Sequence, residues 1–267
     1  MDNSAGQVTA SGLQFASNGY VINGGPLTLV ETTAGSGVTT IRVGDGASDG
    51  AAYTATIDAI LQGSTQLQKT DLGTLVLTGA NTYTGGTAIN GGTLQVSADN
   101  NLGAAAGNLS FDGGTLAVTG SGFTSARSTT LNAGGGTFDI APAGTFTMSG
   151  VISGVGALTK TDTGTLVLTG ANTYTGGTTI GQGTLQLGNG GTSGSIVGNV
   201  TDNGTLAFDR SDTLTYGGVV SGTGALVQMG TGTTVLTGTS TYSGPTTVQT
   251  GTLTVKGSIS SPVTVLS

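Results

Sequence analysis

Apolar residues along most of this chain sit at every second position in short runs, with glycine as the punctuation between them. Successive side chains of an extended strand point to opposite sides. In Thr184-Leu185-Gln186-Leu187 this turns Leu185 and Leu187 inward and Gln186 outward; Phe138-Asp139-Ile140 and Leu206-Ala207-Phe208 frame a polar or small residue in the same way. The pattern predicts many short, half-buried strands over an interior of Leu, Val, Ile and Phe, with Thr, Asn, Gln and Asp outside. Glycine then takes the corners, where positive φ is needed and a side chain would meet the next layer.

The runs recur. Gly164 to Ile180, followed by Gly183-Thr184-Leu185-Gln186-Leu187, occurs nearly unchanged from Gly73 to Val96 and more loosely from Gly232 to Val255. Strands marked by Thr65, Gly92, Gly114, Gly136, Gly156, Gly183, Gly204, Gly224 and Gly251 are separated by 27, 22, 22, 20, 27, 21, 20 and 27 residues. A period in this range reads as a solenoid. Three short strands per period, as in Gly136 to Ile140, Gly144 to Met148 and Val151 to Ser153, predict three faces per coil. The following coil is read as Ala157-Leu158-Thr159, Thr165 to Thr169 and Thr178-Thr179-Ile180.

The expected fold is all-β: a right-handed parallel β-helix (β-solenoid) of about a dozen coils of roughly 20 to 27 residues. At about 4.8 Å per coil the rod is on the order of 55 Å long. Residues 1–267 are read as one unit, with 1–64 less regular, 65–255 clearly repeated and 256–267 an incomplete terminal coil. In the early part, Leu27 to Leu29 and Thr40 to Val43 fit coils about 20 apart. Ala51 to Leu61 can make a short helix, with at least its end kept as strand because Ile60-Leu61-Gln62-Gly63 matches Val151-Ile152-Ser153-Gly154. The 27-residue periods contain Asn81-Thr82-Tyr83, Asn172-Thr173-Tyr174 and Ser240-Thr241-Tyr242. These are read as small corner loops, each Tyr folding back over the loop base as a structural residue.

Composition narrows the function classes. Of 267 residues 52 are glycine and only 7% are charged, unlike an ordinary globular enzyme, while 35% hydrophobic residues argue against disorder. A net charge of -7 with no basic stripe makes nucleic acid an unsuitable partner. Cysteine is absent, which removes disulfides and thiolate metal sites. No apolar run reaches the roughly 20 residues of a membrane-spanning helix, so the segment is not itself expected to span a membrane. Met1-Asp2-Asn3-Ser4 shows no basic region before an apolar core, and the segment is expected to come from a longer precursor.

The stretches Lys69 to Thr87 and Lys160 to Ile180, with the degenerate third copy in which Pro245 replaces the second glycine, resemble the passenger-associated transport repeat of bacterial autotransporters (type V secretion). The likeness extends over nearly the full chain. It implies a β-helical passenger exported through an outer membrane and displayed on or released from the bacterial cell surface. It also implies a C-terminal translocator barrel in the parent protein, a role for the repeat in translocation, and passengers that serve adhesion or aggregation. Possible partners are therefore a host or neighbouring-cell surface component, or another copy of the chain.

No catalytic, cofactor-binding or metal residue is assigned from the sequence, and no cofactor is expected. Without histidine or cysteine, Ser-His-Asp and Cys-His mechanisms are closed. Carboxylate pairs are the remaining route, but Asp112, Asp139 and Asp162 are isolated, and Asp71 and Asp162 hold the same corner, where a turn role is expected. Asp45 and Asp49, in Asp45-Gly46-Ala47-Ser48-Asp49-Gly50, can be read as a weak calcium loop or as a solvated turn. Asp209-Arg210-Ser211-Asp212 reads as an exposed turn with a local ion pair, and Lys69 and Lys160 as solvated corner residues. The expectation is a non-enzymatic stalk or adhesin; a carbohydrate-active β-helix enzyme and a self-assembling rod are the alternatives.

Overall fold

The computed structural model describes residues 2–4, 6–120 and 122–266; Met1, Ala5, Ser121 and Ser267, which the sequence reading included in its single unit, lie outside it. The chain winds into a parallel β-solenoid of about 13 turns with almost no helix. All the strand pairs join equivalent strands of successive turns, so the alternation seen in the sequence becomes a stack.

Three faces run along the rod. Face 1 carries a three-stranded sheet (Val8–Ala10, Leu27–Leu29, Leu61–Gly63) and further on an eight-stranded sheet from Phe123–Ser125 to Val263–Val265. Face 2 carries a seven-stranded sheet from Leu13–Phe15 to Ile152–Gly154 and then a three-stranded one (Thr213–Tyr216, Thr233–Leu236, Thr252–Val255). Face 3 is a ten-stranded sheet from Tyr20–Ile22 to Val220–Ser221. Its first outward positions form an unbroken row, each paired with the next: Thr54, Thr74, Thr93, Thr115, Thr137, Thr159, Thr179, Thr201 and Ser221. Stacked hydroxyl residues of this kind, all β-branched except Ser221, stabilise a sheet by cross-strand contact.

The inward positions make one continuous core. Leu166, Leu168, Leu185 and Leu187 are fully buried, as are Phe138, Ile140, Leu206 and Phe208. Neighbouring coils add ring contacts, Phe111 with Phe138 at 5.1 Å and Phe123 with Phe146 at 4.7 Å between centroids, a separation at which tilted rings attract. At the corners, Gly92, Gly183 and Gly251 have φ of 57°, 67° and 67°. A Cβ on any of them would stand 2.3–2.4 Å from a carbonyl oxygen of the preceding coil, so two independent reasons select glycine there.

The pairing corrects the marker spacing. Leu158 pairs with Thr178 and Thr165 with Thr184, steps of 20 and 19 residues, so no coil of 27 residues lies at this place. The 27-residue interval from Gly156 to Gly183 arises because the Gly-Thr-Leu marker passes from face 3 to face 1. Thr178–Ile180 consequently opens the next coil, whereas the marker spacing makes it close the previous one. The longer coils lie at the start: Leu27 pairs with Leu61 and Tyr20 with Ala55, steps of 34 and 35 residues. Leu27–Leu29 and Val38–Val43, read as successive coils, are neighbouring faces of one coil. The extra length there goes into the turn around 31–37, tied by Glu31 to the Gly35 and Gly37 amides, and into a 3-10 turn at Ser48–Ala52. The rest of the stretch read as a short helix is strand, Thr54–Ile57 and Leu61–Gly63.

Candidate functional site

The densest chemistry in the molecule belongs to the repeated module. Each copy runs strand, strand, irregular segment, strand, strand, and the irregular segment holds the Asn-Thr-Tyr or Ser-Thr-Tyr triplet. It is the third side of an ordinary coil and not an added loop: Thr173 N–H donates to Ile152 O at 2.8 Å and Thr175 N–H to Gly154 O at 3.0 Å, continuing the stack on face 2. The first copy does the same on face 1, with Thr82 N–H on Leu61 O and Thr84 N–H on Gly63 O. The third does so on face 3, with Thr241 N–H on Val220 O and Ser243 N–H on Gly222 O. Each copy therefore interrupts the sheet of one face, and the three copies take the three faces in turn.

Tyr83, Tyr174 and Tyr242 do not lie over a loop; they point into the core with no exposed surface. Their hydroxyls are satisfied by the threonine four residues on, Thr87 at 2.7 Å, Thr178 at 2.7 Å and Thr246 at 2.5 Å. Burial raises the Tyr83 and Tyr174 phenols above their ordinary value, so both stay neutral.

Lys69 and Lys160 are not solvated corner residues. Both are fully buried, as the alternation in Gln66-Leu67-Gln68-Lys69-Thr70 already required, since Leu67 and Lys69 share a face. The Lys69 ammonium donates to Thr70 O at 2.9 Å, Asp71 O at 3.0 Å and Gly91 O at 3.1 Å. Lys160 caps the same turn through Thr161 O and Asp162 O at 2.6 and 2.8 Å. Desolvation lowers both amines to about 8, with nearby carboxylates opposing the shift. Asp71 and Asp162 sit in the turn with φ of 68° and 59°, a left-handed conformation that Asp tolerates better than most residues. In the third copy Gln228 holds the lysine position, and its amide donates to Gly230 O at 2.7 Å.

The remaining polar residues are placed by local structure. Arg127 is buried and grips the coil below it, donating to both carboxylate oxygens of Asp99, to Asp99 O, and to Ala104 O, Gly107 O and Gly103 O. This clasp is invisible in any single run of sequence, because its partners lie 20 to 28 residues before Arg127. Arg210 pairs with Asp212 at 2.7 Å and also ties down Gly194 O and Thr192 O, so the Asp209 to Asp212 turn is anchored and half-buried. Asp45 accepts from Ala47 N–H, while Asp71 takes Gly46 N–H and the Arg42 guanidinium at 3.1 Å; Asp45 and Asp49 are exposed. Among the described residues no three acidic side chains gather as they would around a metal ion. Asp112 orders its corner by accepting from Gly134 N–H, and Asp139 accepts from Thr161.

One carboxylate has no such explanation. Asp202 faces inward on Val200–Asp202, paired with Ile180, and is fully buried. Its Oδ1 accepts from Gly204 N–H at 3.0 Å, but Oδ2 has no partner. Burial pushes its acid up to about 6, against the pull of the Gly204 and Leu206 amides. A recess of about 330 Å³ opens where face 2 is interrupted, lined by Ile196, Val197, Asn199, Thr215 and Tyr216 with neighbouring glycines, and no carboxylate or cation lines it.

These features define a class: a parallel solenoid whose most elaborate chemistry is internal and repeated, spent on stacking one coil upon the next. The family model described as passenger-associated-transport-repeat matches residues 67–96, 158–187 and 226–255, the three modules just described. The Adhesin BmaC autotransporter of Brucella suis biovar 1 (strain 1330) is 56% identical over 228 residues, which cover 85% of this chain and 6% of that protein. The chain belongs to the autotransporter passengers that carry these repeats, proteins taken through the outer membrane to the cell surface or beyond. It spans a small fraction of the length of the curated relative it matches. No solved structure matches it, and no helix among the described residues is long and apolar enough to cross a membrane.

Proposed function

We propose that the whole segment, 1–267, acts as one stalk or adhesive unit of a surface-displayed passenger, without catalysis, and that its coil-by-coil folding assists translocation. The observation that carries this reading is the internal use of its chemistry. Five of the six cations are engaged: Lys69 and Lys160 are buried on turn carbonyls, and Arg42, Arg127 and Arg210 pair with Asp71, Asp99 and Asp212. Only Lys256 among the described residues stays exposed without a recorded partner, so the surface is acidic and unsuited to nucleic acid or other polyanions. A neutral or basic component of a host or neighbouring cell, or a second copy of the chain, fits that surface. A translocator barrel in the parent protein completes the reading.

Adhesion is tested by displaying the segment on a non-adherent bacterium and counting cells retained on host monolayers and on each other. Retention no greater than with an unrelated β-solenoid of equal length contradicts the adhesive role. The translocation role is tested by scrambling Gly164 to Ile180 in the full precursor; unchanged secretion sinks it. The carbohydrate-active alternative requires release of reducing sugar from surface polysaccharide that disappears with a single Asp substitution.

A further inference from the structure

We propose that the first two transport repeats are locks spanning three coils, each closed by the asparagine at the head of its Asn-Thr-Tyr triplet. The Oδ1 of Asn172 accepts from Ile152 N–H of the preceding coil at 2.8 Å. Its Nδ2 donates to Ser195 O of the following coil at 2.9 Å, and its own N–H reaches the same oxygen at 3.1 Å. Asn81 repeats the arrangement one face away, accepting from Leu61 N–H at 2.8 Å and donating to Asn101 O at 2.6 Å. One planar amide therefore fixes the distance from its coil to both neighbours. Neither neighbour can leave without stranding a buried or half-buried backbone group, the penalty that makes such bonds costly to break.

The third copy closes only half of the lock. Ser240 Oγ accepts from Val220 N–H at 3.0 Å, and Ser240 N–H donates to Ser258 O at 2.8 Å, but a hydroxyl in that position has no amide to send forward. A solenoid otherwise peels one coil at a time, because each coil touches only its neighbours. The full locks, on faces 1 and 2, make three coils leave together at two points along the rod, and the half-lock on face 3 does not. The lock concerns the rod alone and stands whether or not the surface binds anything.

The test uses the purified chain, with amide hydrogen exchange and unfolding rates in denaturant. Asn172→Ser keeps an acceptor for the Ile152 amide and removes the forward arm. The Ser195 amide, bonded to Gly170 O at 3.1 Å, is then expected to exchange about tenfold faster or more, with Ile152 still protected. Ser240→Asn adds the missing arm toward Ser258 O and is expected to slow unfolding of the last coils by a similar factor. An even rise in exchange along the chain for Asn172→Ser, as simple loss of stability produces, overturns the proposal. So does a Ser240→Asn protein that unfolds no more slowly. The second variant adds a bond and so remains informative if the first fails to fold, and neither failure touches the adhesive reading.

Discussion

The second and third transport repeats, 158–187 and 226–255, build the same turn from different polar residues. In the second, Lys160 caps the turn and Leu166 fills the core beside it. In the third, Gln228 takes the cap, and the buried position of Leu166 is held by Thr234, whose hydroxyl donates to Gln228 Oε1 at 2.6 Å. Asn172 becomes Ser240, and Gly177, with φ of 82°, becomes Pro245, which cannot adopt that angle. What both copies keep is the buried tyrosine with its threonine and the corner glycine at φ of 67°. The coil is therefore framed by apolar stacking, one aromatic anchor and backbone conformation, while the polar parts change in matched sets.

The largest expected effect probes the common frame. Tyr174→Ala and Tyr242→Ala should each cost about 3–5 kcal/mol, the range for removing a large buried ring, and to a similar degree in both repeats, read as shifts in the urea midpoint. A loss confined to Tyr174 breaks the claim that the two copies share one frame.

A smaller effect comes from the coil between them. Asp202 binds its proton more tightly folded, at about 6, than unfolded, near 3.8. Its contribution is thus most favourable in acid and is lost as pH rises through 6. Asp202→Asn should stabilise the protein by about 1–3 kcal/mol at pH 7.5 and by almost nothing below pH 4. Denaturant titrations at the two pH values measure this.

An effect of the same order sharpens the exchange of polar sets. Lys160→Gln should cost about 1–3 kcal/mol by burying an amide oxygen without a partner, and adding Leu166→Thr should recover part of it. The lysine sheds its proton at about 8 when folded and near 10.5 when unfolded. Stability should therefore rise with pH between those values in the parent, and the rise should shrink in the variant. Calorimetry from pH 7 to 11 follows both.

Much of the fold was legible from period-two alternation: the inward Leu185, Leu187, Phe138 and Ile140, the corner glycines and the parallel stack. The phase was not legible, because Gly-Thr-Leu opens strands on all three faces and a marker cannot tell one face from the next. The buried lysines were missed for a different reason. Alternation placed Lys69 beside Leu67, but charge suggested solvent, and the carbonyls that receive the ammonium come together only when the turn closes. The Arg127 clasp, the unpartnered Asp202 and the two-way bonds of Asn81 and Asn172 depend on contacts between coils, which no single run of sequence displays.

The central claim is the pairing that sets each repeat on a different face, and the absence of cysteine makes it directly measurable. Thr159 and Thr179 are neighbours on face 3, at a strand spacing of about 4.8 Å that a disulfide can bridge. The marker spacing would instead set Thr159 beside Gln186. The pair Thr159→Cys/Thr179→Cys is expected to oxidise to an intramolecular disulfide in the folded protein, and Thr159→Cys/Gln186→Cys to remain reduced. The opposite result contradicts the rotation of the repeats around the rod.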